Sequence, residues 1–136
     1  MTQLLDLMTG AQDAVVQLLR AQLPADQRGM VRHSLKQGAQ PPFHLIGDIA
    51  SADAGGKDEQ AEDIEVDVHT VYRGADRREL LAMLHQVRVA VTDRRLVIDG
   101  ALFRTTWAGA SAGSASTTDG VTYAGVTTIT LTAEPA

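Results

Sequence analysis

Residues 63–72, Asp-Ile-Glu-Val-Asp-Val-His-Thr-Val-Tyr, set β-branched residues against polar ones at alternate positions. In an extended chain successive side chains point to opposite faces. Ile64, Val66 and Val68 therefore share one face, and Glu65, Asp67 and His69 the other. One face belongs to a core and the other is wet, the pattern of an antiparallel sheet with helices on a single side.

Downstream, residues 76–91 carry Leu80, Leu84, Val87 and Val91 as an apolar helical stripe. Asp76 with Glu79 three positions on is a capping-box variant. Arg77 and Arg78 stand in the first turn, where two cations oppose the helix dipole and call for a carboxylate partner, in the same chain or another. Residues 95–108 read as a hairpin about Asp99-Gly100, a dipeptide suited to a type I′ turn. Residues 109–120 (GASAGSASTTDG) are small and polar and read as a flexible loop. Residues 121–132 are rich in β-branched types and read as a long last strand, followed by a frayed tail.

Upstream, residues 2–23 predict a helix, with Leu4, Met8, Ala11, Val15, Leu18 and Leu19 on one stripe, weakened at Gly10 and ended by Pro24. Residues 24–42 are polar, and 30–35 fit a short helical turn or a strand equally well. The double proline Pro41-Pro42 bars a helix from running into Phe43. Residues 43–49 then read as a strand, with Gly47 marking a bulge or bend. Residues 50–63 hold no large apolar group and read as a flexible polar loop. The expected fold is α+β: a mostly antiparallel sheet of four to five strands with two helices on one face, in a single domain over 1–136.

Composition narrows the function. The 136 residues are 44% apolar and 21% charged, as in an ordinary globular protein. The net charge of −5 argues against a surface that wraps nucleic acid. No cysteine is present, which excludes disulfides, thiolate metal sites and cysteine nucleophiles. The five aromatics, Phe43, Tyr72, Phe103, Trp107 and Tyr123, are too few for a base-stacking platform. The first cation is Arg20, so the N-terminus lacks the basic start of a secretory signal, and no run suits a membrane helix.

Catalytic motifs are missing: the sequence holds no phosphate-loop, dinucleotide, nucleophile-elbow or zinc-protease pattern. The best enzyme-like set is Glu65, Asp67 and His69 on one strand face, with His44 on the preceding strand as a possible fourth member. The bland reading of that set is a wet strand face. His33 and His85 stand alone, Ser111, Ser114 and Ser116 have no neighbouring base, and Trp107 reads as a core or interface anchor.

Taken in order, four stretches resemble the tail-terminator, or tail-completion, proteins of long-tailed bacteriophages and gene transfer agents. These are the amphipathic helix from Leu4 to Leu19; Pro41-Pro42-Phe43-His44-Leu45-Ile46-Gly47 and its polar loop; the alternating strand followed by Arg73-Gly74 and a helix; and Leu96-Val97-Ile98-Asp99-Gly100 with two long strands. Residues 24–40 match no part of that pattern. The resemblance implies a virion structural protein without catalytic residues, cofactor, metal or membrane contact, located at the tail–neck junction. It implies a homohexameric ring that caps the tail tube, meets the head–neck connector or stopper, and lets DNA pass its lumen without specific binding.

Two function classes follow: that ring protein, or a small metal- or ligand-binding α+β enzyme using the Glu65, Asp67, His69 face. For the ring, the expected contact residues are Asp58, Glu59, Glu62 and Asp63, facing the channel or the tail tube, and Arg77 and Arg78, facing carboxylates of an adjacent subunit.

Overall fold

The computed structural model describes residues 4–34, 39–117 and 120–136, with backbone alone at 114–117 and 120. The expectations that fall on residues 2–3, 35–38 and 118–119 lie outside the described residues. Helix α1 (Leu7–Gln22) leads through a short 3-10 turn (Arg28–Met30) to strand β1 (Val31–Arg32). Then come β2 (Phe43–Asp53), β3 (Glu62–Arg73), helix α2 (Arg77–Val91), β4 (Arg95–Ile98), β5 (Ala101–Thr117) and β6 (Gly120–Pro135).

The strands form one sheet in the order β1-β2-β3-β6-β5-β4. Among the described residues the α+β class and the two helices stand, but the sheet has six strands, and it is mixed because β1 runs parallel to β2. The ambiguity at residues 30–35 resolves into the 3-10 turn and the two-residue β1, the added edge strand.

Both segments expected as loops are shorter than their composition suggests. Strand β2 continues through Asp53 and β3 begins at Glu62, with Asp53 opposite Glu62. Strand β5 continues through Thr117 against β6, with Gly109 opposite Thr128 and Thr117 opposite Gly120. Small polar residues give no alternation to read, and backbone pairing with β6 supplies the order instead. The tail is not frayed: Ala133 is buried between Glu62 and Phe103, and the Ala136 amide donates to the Gly100 carbonyl at 2.8 Å.

The alternation in β3 is realised. Ile64, Val66 and Val68 are fully buried and meet Leu131, Ile129 and Thr127 of β6. Phe103, Leu7, Val15, Leu19, Val87 and Val91 complete the same core, so both helices cover this one sheet face. Helix α1 starts at Leu7, later than expected, because the Asp6 carboxylate caps it, accepting from the Thr9 amide at 3.1 Å and hydroxyl at 2.7 Å. The Thr9 hydroxyl first, then its amide, hold the Asp6 carboxyl below the usual range. Asp76 caps α2, accepting from the Arg78 amide at 2.9 Å. The Asp99-Gly100 turn has φ of 50° and 80°, the left-handed pair that a type I′ turn requires.

Candidate assembly surfaces

Two groups of charged residues stand at opposite ends of the sheet. At one end β2 turns into β3. Asp53, Asp58, Glu59 and Glu134 line a depression there together with Lys57 and Leu4, and Glu62 and Asp63 open β3 beside it. The turn is fixed by short bonds: Ala54 amide to Ala61 carbonyl at 2.9 Å and Gly55 amide to the Asp53 carboxylate at 3.0 Å. The Gln60 amide group clamps the chain ahead of α1, accepting from the Leu5 amide and donating to the Leu5 carbonyl, both at 2.9 Å. Glu62 accepts from Ser51 and from Gln60. Asp58, Glu59 and Asp63 are exposed.

At the other end β3 finishes at Arg73, and α2 begins with Arg77 and Arg78. Both helix arginines are exposed, and among the described residues neither meets a carboxylate. Arg77 lies over the Tyr123 ring, 5.8 Å from its centroid. Twelve residues of β3 separate the two ends, roughly 35 Å at the strand rise. Arg77 and Arg78 thus have no route to the acidic turn of their own chain.

The helix-free face of the sheet holds Glu65, Asp67 and His69, as the alternation requires. Glu65 is exposed, while Asp67 and His69 are engaged in the sheet's own surface. Asp67 accepts from the Thr128 hydroxyl at 3.0 Å, and the His69 ring lies directly over Gly47, where no Cβ would fit. The bulge expected at Gly47 is present: the register slips between Ile46 and Ile49.

His44 does not join this set. It pairs with Thr70, on the core side, and is fully buried. Its Nδ1 is 2.8 Å from the Thr70 hydroxyl and its Nε2 3.2 Å from Gln27 Oε1. Gln27 Oε1 only accepts, so Nε2 carries the proton and Nδ1 accepts from Thr70. Burial pushes the imidazole down to about 4, so it is neutral at ordinary pH. The residue ties segment 24–34 to the sheet and is not a ligand. Among the described residues no group of three His, Asp or Glu side chains is arranged to hold a metal ion. No described helix is long and apolar enough to cross a membrane.

Trp107 anchors the seam between α2 and β5. The Arg88 guanidinium stacks 3.9 Å from the centre of its ring, and its buried indole N–H has no partner among the described residues. Leu84 packs directly on Gly125, where a Cβ would stand 2.8 Å from its Cδ1. That close approach brings α2 down onto the hairpin. These contacts join helix and sheet at glycines and an aromatic, and they leave the charged ends free.

The family described as tail completion protein gp17 matches the chain over residues 11–134. The chain belongs to the tail completion protein family. Among curated protein sequences none matches. A solved chain from the virion of a native gene transfer agent particle has the same fold, with a TM-score of 0.80 at 19% identity, over 96% of this chain and 99% of that one. The family likeness expected from the sequence is therefore established. Residues 24–34, the described first part of the segment 24–40 that the sequence pattern left unmatched, hold the 3-10 turn and β1, which pairs with β2 in this tail completion protein.

Proposed function

We propose that this tail completion protein is a tail terminator, a homohexameric ring that caps the tail tube and joins it to the head–neck connector or stopper of a virion. Membership of the tail completion family carries the reading. The charge layout supports it: the acidic run 58–63 and the Arg77, Arg78 pair stand at opposite ends of β3, which gives a layer two different faces for its neighbours above and below. In this reading Asp58, Glu59, Glu62 and Asp63 form one rim of the ring, Arg77 and Arg78 the other. The rims contact the tail tube and the connector, or the adjacent subunit where the ring brings them together. The acidic rim lies by the lumen and repels the phosphates of passing DNA, which moves through without being bound.

No catalytic step is assigned. Glu65, Asp67 and His69 serve as residues of the helix-free strand face, and His44, the fourth candidate, lies on the core side of the sheet. The test is an averaged image of the tail–neck junction of particles carrying this protein. Six copies in one layer are expected. Three-fold or twelve-fold symmetry in that layer would overturn the reading.

A further inference from the structure

Two stretches of backbone edge are unpaired among the described residues. On one side of the sheet β4 covers only residues 101–104 of β5, leaving the outer edge of residues 106–117 open. On the other side β1 covers only His44 and Leu45 of β2, leaving residues 46–53 open. An exposed strand edge is a template for pairing, and proteins that stay monomeric guard theirs with charges, prolines or covering segments. Residues 106–117 hold no charged residue and no proline, and Ala108, Ala110, Ser111 and Ala112 are exposed.

The two edges fit one another. Strands β2 and β5 run in opposite directions within the sheet. Copies standing side by side in one orientation therefore present β5 to the neighbour's β2 as an antiparallel pair. The open stretches lie at different heights: Ile46 is level with Ala110, and Asp53 with Phe103. Full overlap shifts the neighbour by about five residues, roughly 17 Å along the strands. Six strands are roughly 29 Å wide, so that shift tilts the strands by about 30° to the ring axis. Closed barrels have tilts of roughly 35–45°. The stagger the edges demand is thus close to one that closes. Each open strand also carries a bulge, at Trp107/Gly109 and at Ile46/Ile49, which curves a sheet.

Charge marks the step where β4 stops. Arg95 stands directly opposite Arg104 on the neighbouring strand, both exposed. Like charges so placed repel, and Arg95 has no carboxylate partner among the described residues. In the staggered pair the next copy's turn after β2, with Asp53, Asp58 and Glu59, arrives at this step.

We infer that residues 106–117 of β5 pair antiparallel with residues 46–53 of a second copy of this chain, whose acidic turn seats at Arg95 and Arg104. The inference rests on the proposed ring and names the contact that builds it. The absence of native cysteine permits a direct test. Ala50 and Ser111 lie on the helix-free face, at heights that oppose each other in the staggered register. Ala50→Cys is combined with Ser111→Cys or Gly113→Cys, covering two registers, in tailed particles under mild oxidation. The expected result is a ladder of covalent multimers ending at the hexamer, with no ladder from single variants. In unaltered particles, amides of 46–53 and 106–113 should exchange at least ten-fold more slowly than in the free chain. A six-fold layer with neither cross-links nor protection overturns the edge pairing and leaves the ring. Cross-links with no six-fold layer support the pairing and overturn the ring. Absence of both overturns both.

Discussion

The ring of Phe103 lies against Gly10, so close that a Cβ on that glycine would stand 2.6 Å from the ring's Cζ. Phe103 is fully buried in the core on the sheet's covered face. The glycine in the second turn of α1 is therefore the place where helix and sheet touch, and its helix penalty is the condition of that contact.

Gly10→Ala should destabilise the protein in spite of alanine's better helix propensity. Propensity favours alanine by about 1 kcal/mol, while overpacking a rigid ring costs about 1–3 kcal/mol. A net loss of about 1 kcal/mol is expected in urea unfolding. Phe103→Leu in the same background should recover part of it. A Gly10→Ala protein more stable than the parent would show that α1 moves off the sheet without cost.

His44 sets a pH dependence. Its folded value is about 4 against an ordinary 6.5. The neutral form is the one the fold holds, so its contribution is complete above pH 6.5 and is lost as pH falls toward 4, where the unfolded chain takes up a proton the folded chain refuses. The full span is worth roughly 3 kcal/mol. Unfolding near pH 5 should take up close to one proton at this residue. A His44 ring titrating near 6.5 in the folded protein, followed by its NMR shifts, would contradict the burial described here.

Arg77→Glu with Arg78→Glu should leave the fold intact and weaken assembly. At a helix start acidic residues are preferred by about 0.3–1 kcal/mol each, so unfolding should be unchanged or slightly delayed. Single exposed pairs are worth only about 0–1 kcal/mol, so the loss appears through six copies acting together. Normal yields of tailed particles would remove these arginines from the contact.

Asp63→Lys should give assembled particles that package or eject DNA poorly, since opposite charge at the rim attracts the duplex; Asp58 and Glu59 are kept, because the inferred edge pairing seats them at the neighbour's Arg95 and Arg104. Glu62 is kept, because it holds Ser51 and Gln60 in place. Normal infectivity of intact particles would make the turn an outer surface.

Much of the fold was legible in residues with unambiguous chemistry. The alternation from Ile64 to His69, the Asp99-Gly100 turn and the stop at Pro24 each have one physical reading, and each is realised. The outer half of β5 was not legible, because alanine, glycine and serine on a wet edge produce no period and the information lies in β6. His44 was misplaced for a different reason. Phe43 and His44 are neighbours in sequence and both are buried, on opposite faces, because β1 and segment 24–34 shelter the start of β2. The charged residues were visible as groups, but their separation to opposite ends of one strand is a property of the topology alone.

The edge of β5 is almost free of large apolar side chains beyond Trp107. Such an edge offers hydrogen bonds and little buried hydrocarbon, so two copies meeting there hold each other briefly. A copy inserted last into a ring is held at two edges at once, and its second contact forms at high effective concentration. Partial rings then come apart and closed ones persist. A subunit that docks in the wrong register leaves before it is locked in, and fidelity comes from the weakness of each single bond.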